Sequence, residues 1–374
     1  MLKDVRSKTL DTPFIAAEKF NPPGKITTIK TYGNGNVHDT FLVTLDSRTE
    51  EYFILQRLNP RVFRQPELVM QNIRTLTEHV RRRLQDVPLN AGRRWEIPRP
   101  LLTEEGRDLW IDPQRSFWRA RSFINNARSY DTLRHAGHAR EVGFALALFH
   151  NLINDLPIGQ LADTLEGFHI TPRYLQHFDR VLTVTSLKKS PEINYGLRSI
   201  NRRRTWADVL EKARDQGRLH LRPIHGDPKV NNVLIDPSTQ QAVSLVDLDT
   251  VKPGLIHYDI GDCLRSGCNP LGEETGQWES VRFELEYCRA MLQGYLPMAR
   301  AFLLENDYAF LFEAVRLIAF ELGLRFFTDY LEGNVYFKAA SEEHNLIRAL
   351  VQFKLTESIE DQSSDIQALI KDLR

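Results

Sequence analysis

The residues that could do chemistry cluster between Ile224 and Asp249. The run I-H-G-D-P-K-V-N-N-V-L-I-D is followed by P-S-T-Q-Q-A and then V-S-L-V-D-L-D. His225-Gly226-Asp227 reads as a loop, with Asn232 five residues after Asp227. Val233 to Ile235 and Val243 to Val246 read as two short strands around an Asp236-Pro237-Ser238 turn. Such a hairpin sets Asp227, Asn232, Asp247 and Asp249 at strand edges, where they can converge. Two oxygen donors for a hard divalent cation, beside a separate carboxylate that can take a proton, meet the needs of phosphoryl transfer from ATP. Asp and Asn also favour plain turns. The ordered set of His, Gly, Asp, Asn, a β run and D-x-D is what goes beyond a turn.

The elements that must position this hairpin come from both sides of it. At 374 residues the chain is long for one core and suits two lobes. Ile26 to Lys30, Thr40 to Leu45 and Glu51 to Leu58 read as three strands, with Gly33-Asn34-Gly35-Asn36 turning between the first two. A Gly/Asn turn has unencumbered N–H groups that can lie over phosphates. The third strand offers Gln56 and Arg57 as candidates to face those phosphates, and no lysine. Pro66 to Leu84 reads as an amphipathic helix. Three short strands are expected within Pro100 to Thr103, Leu109 to Ile111 and Phe117 to Ile124.

Beyond these, Ala139 to Leu156 reads as a buried helix whose His150 is a satisfied interior histidine. The chain from Tyr174 to Arg214 and the remainder from Glu274 read as helical, with Arg202-Arg203-Arg204 on a solvated face. The arginines at 81–83 and 93–94 are expected at a solvated helix end. Glu321, Arg325 and Thr328 share one helical face, either as an internal ion pair or as substrate contacts.

Composition sets limits. The chain is 42% hydrophobic and 26% charged with zero formal net charge, so no global field attracts nucleic acid or anionic membrane. Three cysteines make neither a disulfide framework nor zinc-site spacing. The N-terminus lacks a signal-peptide apolar core, and no run reaches the length of a membrane helix. A soluble, cytoplasmic protein, monomeric or homodimeric, is expected.

The H-x-D-x-x-x-x-N spacing followed by a metal-binding Asp matches the protein-kinase pattern, and the H-G-D form resembles the aminoglycoside phosphotransferase superfamily of small-molecule kinases. The resemblance implies an α+β, bilobal protein kinase-like fold with a small β-rich N-lobe (1–121), a hinge (122–126) and a larger, mostly helical C-lobe (127–374). It implies ATP and Mg²⁺ as cofactors, with Asp227 as base and Asn232, Asp247 and Asp249 at the metal. Gly33 to Asn36 and Arg57 would hold the phosphates, and the backbone of Ser122, Phe123 and Ile124 the adenine. A helix carboxylate or amide, Glu67 or Gln71, would pair with the strand cation.

The stretches F-I-L-Q-R-L-N-P-R-V-F, F-W-R-A-R-S-F-I, D-L-D-T-V-K-P-G-L-I-H-Y-D-I-G-D and R-F-F-T-D-Y-L-E-G-N-V-Y-F-K are similar to the N-acetylhexosamine 1-kinase branch. That similarity implies a small-molecule acceptor, a sugar phosphorylated at its anomeric hydroxyl. Trp118, Arg119, His225, Asp227, Lys229, Tyr258, Asp259, Asp262, Arg265 and Arg325 are the candidate acceptor contacts. Acceptors such as choline, homoserine or an aminoglycoside would use the same catalytic set. A non-catalytic nucleotide-binding pseudokinase is the reading outside catalysis, left open by the missing strand lysine.

Overall fold

The computed structural model describes residues 5–33, 37–48, 50–86, 89, 92–186 and 188–374. Contacts divide the chain into two compact units, Met1–Arg82 with Glu96–Asn125, and Arg83–Trp95 with Asn126–Arg374. The Asn34-Gly35-Asn36 part of the expected phosphate turn lies outside the described residues.

The first unit is α1 (Val5–Glu18), β1 (Lys25–Thr31), β2 (Asp39–Asp46), β3 (Tyr52–Arg57), α2 (Pro66–Asp86, whose end passes into the second unit), β4 (Pro100–Leu101), β5 (Trp110–Ile111) and β6 (Phe117–Ser122). The strands form one antiparallel sheet in the order β1-β2-β3-β6-β4, with β5 also on β6. Alternation along β3 sends Phe53 and Leu55 to one face, where they pack with Val43, Trp118 and Ala120 against Ala16, Ala17 and Phe20. Sequence periodicity pointed to no helix before Ile26, because α1 has almost no apolar stripe and carries Pro13 inside it. Of the stripe Leu68, Val69, Ile73, Leu76 and Val80 that the sequence spacing predicts on α2, all but the half-buried Leu68 are buried, together with Met70.

The second unit runs α3 (Ala136–Ile153), α4 (Thr171–Val184), α5 (Pro191–Arg203), α6 (Val209–Asp215), β7 (Arg222–Ile224), β8 (Val233–Ile235), β9 (Ala242–Leu245), β10 (Lys252–Gly254), α7 (Ile256–Gly267), α8 (Leu285–Ala299), α9 (Glu305–Ala309), α10 (Leu311–Leu331), α11 (His344–Asp361) and α12 (Ser363–Leu373). β8 pairs with β9 and β10 with β7, giving two small antiparallel ribbons. Phe320, Leu324 and Phe327 of α10 sit in one core with Tyr258 of α7, Phe178 of α4 and Phe353 of α11. The three cysteines are free and buried. Among the described residues no helix is long and apolar enough to cross a membrane.

Several expectations are corrected here. The chain after Glu274 is not yet helical, passing through a 3₁₀ turn at Trp278–Ser280 before α8. Arg203 is not on a solvated face: only 2% exposed, it forks onto Glu360 at 3.0 and 2.5 Å. Arg93 forks onto Glu141 at 2.9 and 2.6 Å and Arg94 reaches Asp236 at 3.2 Å, so this pair anchors the chain to α3 and the hairpin.

Helices α3 and α8 approach closely at two glycines. A Cβ on Gly143 would lie 2.0 Å from the Met291 carbonyl oxygen, and one on Gly294 would lie 2.0 Å from that of Arg140. Backbone cannot give way as a flexible side chain can. Gly294→Ala is therefore expected to destabilise the chain by about 1–3 kcal/mol or more through overpacking. Denaturant unfolding reads this directly, and an unchanged midpoint would refute the close approach.

Candidate active site

The loop after β7 is short and tightly held. Gly226 adopts φ +87°, and a Cβ there would meet the Thr250 carbonyl oxygen at 2.6 Å, so both conformation and space require glycine. Asp259, fully buried in the first turn of α7, accepts the His225 N–H on Oδ2 and the Gly226 N–H on Oδ1, both at 2.7 Å. Its Oδ2 is also 2.9 Å from His150 Nε2, and His150 Nδ1 is 2.9 Å from the Tyr295 hydroxyl. Burial alone would raise the Asp259 carboxyl, but the His150 bond and charge, with His225, outweigh it and hold it below the usual carboxylate range.

His225 ties this loop to the next. The Asp227 N–H donates to its Nδ1 at 3.2 Å, while its Nε2 lies 3.0 Å from the Val246 carbonyl, which can only accept. The ring is thus the neutral Nε2–H tautomer, and burial pushes its pKa down. Thr250 Oγ1 donates to the His225 carbonyl at 2.7 Å, and Val246 N donates to the Asn232 carbonyl at 2.8 Å. These bonds bring Asp227, Asn232 and the Asp247 backbone into one connected frame.

Asn232 Nδ2 donates to the Asp227 carbonyl at 2.7 Å, which fixes the amide and leaves its oxygen as the outward acceptor. Asp247 is half-buried with φ +70°, a left-handed conformation rare in non-glycine residues. Asp249 is 4% exposed on the 3₁₀ turn Leu248–Thr250. Among the described residues no three His, Cys, Asp or Glu side chains form a metal centre alone. An amide oxygen and a carboxylate nonetheless suit Mg²⁺, which takes only one or two protein carboxylates and fills its shell with phosphate oxygens and water.

The Asp227 carboxylate keeps 29% of its side chain exposed and lies 3.1 Å from Lys229 Nζ. Its enclosure pushes its pKa up to about 7, with Lys229 opposing and the Asp262 and Asp247 charges adding. Asp262 accepts twice from Arg265 on Oδ1, at 2.9 and 2.7 Å, and its buried Oδ2 has no hydrogen-bond partner. Arg325, half-buried, has its guanidinium carbon 5.1 Å from the rings of Phe168 and Tyr174, 5.3 Å from Phe337 and 5.8 Å from Tyr336. Of the two readings of Glu321 and Arg325, the ion pair does not form: Glu321 accepts from Thr171 Oγ1 at 2.7 Å and lies 2.9 Å from His169.

Several other candidates are held by bonds within the protein. Tyr258 is buried and donates its hydroxyl to Glu211 at 2.6 Å, and Asp259 holds backbone, so neither side chain is presented to a ligand. In the first unit, Trp118 is 1% exposed with its indole N–H on Asp112 at 3.0 Å. Arg119, 2% exposed, donates to Gln56 Oε1 at 3.0 and 2.8 Å. Arg57 is on the other face of β3, paired with Asp39 at 2.5 Å, and both Glu67 and Gln71 are exposed. Gly33 has φ +72°, Phe123 packs edge-on against Tyr32 and Tyr52, Ser122 bonds Arg99, and Ile124 is buried. His169 and Tyr295 escaped sequence reasoning as site residues, since single polar residues in apolar surroundings carry no spacing signal.

Comparison with known proteins agrees with this architecture. A sequence model of the phosphotransferase enzyme family (APH) matches residues 28–299. The chain is similar in structure to a microcompartment-associated aminopropanol kinase (TM-score 0.61, 17% identity, covering 95% of this chain and 98% of that one). It is similar to an aminoglycoside phosphotransferase from Alicyclobacillus acidocaldarius (0.59, 16%, 97% and 95%). It is also similar to a spectinomycin phosphotransferase solved with ADP and spectinomycin (0.52, 13%, 91% and 94%). At these identities the likeness establishes the kinase-like α+β fold.

The Asp259 arrangement makes a pH-dependent prediction. A depressed folded pKa means its stabilisation is complete above the unfolded value of about 3.9 and is lost as pH falls through the lower folded value. Asp259→Asn should therefore lower stability at pH 6 by about 3–5 kcal/mol, as when a buried charge pair is broken. The gap to the wild type should shrink below pH 4. Denaturant titrations at both pH values check this, and a gap constant with pH would refute it.

Proposed function

The chain belongs to the APH phosphotransferase enzyme family, and we propose that it is an ATP-dependent small-molecule kinase acting on a sugar hydroxyl, the anomeric hydroxyl of an N-acetylhexosamine. Asp227 would accept the proton of the attacking hydroxyl, with Lys229 beside it at 3.1 Å toward the phosphoryl group. The Asn232 amide oxygen and Asp247, with Asp249 behind them, would hold Mg²⁺, which when bound neutralises charge on the phosphates. Gly33, with Arg57, would take the nucleotide phosphates, and Ser122 to Ile124 the adenine. Catalysis is then positioning and charge neutralisation, with no covalent intermediate.

The observation that carries the acceptor class is the surroundings of Arg325. Aromatic cages hold ligand ammonium groups by cation–π attraction. Here four rings surround a cation of the chain itself; burial opposes its charge, and Tyr174, Tyr336, Glu321 and, least of these, Asp227 outweigh that and raise the Arg325 pKa. An ammonium acceptor beside Asp227 would meet like charge from Arg325 and Lys229. An uncharged polyol would meet a fork of N–H donors and aromatic faces. The second reading, an amino-alcohol acceptor, is favoured by the likeness to an aminopropanol kinase.

Two outcomes are expected. Asp227→Asn should lower kcat by about 10²–10⁴-fold, the usual contribution of a general base, while ATP binding by calorimetry is retained; wild-type turnover would remove Asp227 from that role. ADP release should appear with N-acetylglucosamine and not with its 1-deoxy analogue, choline, homoserine or aminopropanol, and Arg325→Ala should raise the sugar KM. Turnover confined to the ammonium acceptors would overturn the sugar reading.

A further inference from the structure

His169 lies outside the catalytic motif, yet it touches the motif's backbone. Its Nε2 is 2.9 Å from the carbonyl oxygen of Gly226, the residue before Asp227. Its Nδ1 is 2.9 Å from Glu321 Oε1, and Glu321 Oε2 accepts from Thr171 Oγ1 at 2.7 Å. Both side chains are buried, and His169 is held at φ +63°, a conformation uncommon outside glycine.

The donor count in this cluster leaves two places for the shared proton, on His169 Nδ1 or on Glu321 Oε1. A carbonyl oxygen only accepts, so Nε2 must carry a hydrogen. With Glu321 ionised, a neutral ring would turn the bare lone pair of Nδ1 onto a carboxylate oxygen at hydrogen-bond distance, in a buried site where such repulsion is largest. An imidazolium satisfies both contacts at once. We propose that His169, carried as an imidazolium by Glu321, is a positioning residue that clamps the Gly226 carbonyl and so aims the Asp227 carboxylate. The proposal rests on Asp227 being the catalytic base, and it adds a proton requirement at a residue remote from the transferred group.

The surrounding charges agree. Burial opposes the charge on His169, but the Glu321 carboxylate and its hydrogen bond, then the Gly226 carbonyl and Asp262, outweigh it and raise the pKa above the ordinary value. Tyr258 stacks on the ring at 5.2 Å. Arg325 lies one helical turn beyond Glu321 on α10. Glu211, bonded to Tyr258, is raised to about 7 by burial, as Asp227 is. The sign follows from the raised histidine. The clamp is fully present below the unfolded value of about 6.5 and is lost as pH rises through the higher folded value. Once the proton leaves, the ring can bond Gly226 or Glu321 but not both.

Protein labelled with ¹⁵N in its histidine rings tests the charge without any acceptor. The signal that disappears in His169→Asn is expected to be an imidazolium at pH 7 and to deprotonate only on the alkaline side. A neutral ring at pH 7 overturns the proposal whatever the enzyme phosphorylates, which keeps this result separate from failure of the kinase reading. With an acceptor that the wild type turns over, Glu321→Ala should lower kcat by roughly 10²-fold, as small misplacements of catalytic groups do, with the ATP KM little changed. Glu321→Gln should restore most of that loss, because its NH₂ can donate to a neutral Nδ1 while its carbonyl accepts from Thr171. Its kcat profile should lack the wild-type alkaline limb, and Glu211→Gln should keep that limb. A Glu321→Gln profile with the wild-type limb, or wild-type kcat in Glu321→Ala, refutes the clamp; if the alanine variant does not fold, the labelled ring and the glutamine profile still decide.

Discussion

The carboxylate of Asp259 sits at zero exposure inside the second unit, and a charge there is tolerable only if its lone pairs are filled. They are filled by the N–H groups of His225 and Gly226 and by His150. This interaction fixes everything downstream of it. With the two amides tied to α7, the loop cannot swing. His225 is then turned so that one ring nitrogen receives the Asp227 N–H and the other donates to Val246. The base candidate and the strand edge leading to Asp247 are thus positioned by one buried anion on a helix that itself packs on α10.

The hairpin that carries the candidate site was legible in the sequence because it is local. His225, Gly226, Asp227, Asn232 and Asp247 come within one hairpin, and turn and strand propensities report on it directly. The sheet and α2 were legible because alternation and a 3.6-residue stripe are strong over such lengths. What escaped is long-range. Asp259 reads as a polar ligand contact in a polar segment, and only the fold reveals that it is buried and answers backbone amides. His169 and Glu321 are 152 residues apart, and no local pattern links them. Arg203 looked solvated because its partner, Glu360, is 157 residues away. Trp118 and Arg119 looked like recognition residues, and their burial beside Asp112 and Gln56 follows from strand register, which composition does not encode.

Two charge arrangements around Asp227 work in opposite senses. Lys229 favours the ionised carboxylate, while enclosure and the negative charges of Asp262 and Asp247 favour the protonated one, leaving the group close to neutrality. A cation bound between Asn232 and Asp247 would relieve part of that repulsion. Arg325 adds a fixed positive charge to the same unit, held among the rings of Phe168, Tyr174, Tyr336 and Phe337.

The central claim is that Asp259 holds the loop that aims Asp227, and amide hydrogen exchange tests it most directly. In the wild type, the His225 and Gly226 amides should exchange as slowly as the core of α10, near the global unfolding limit. In Asp259→Asn, those two amides should become fast while α10 stays protected. Slow exchange at both amides in the folded variant would contradict the account, since the loop would then be held by something other than this carboxylate.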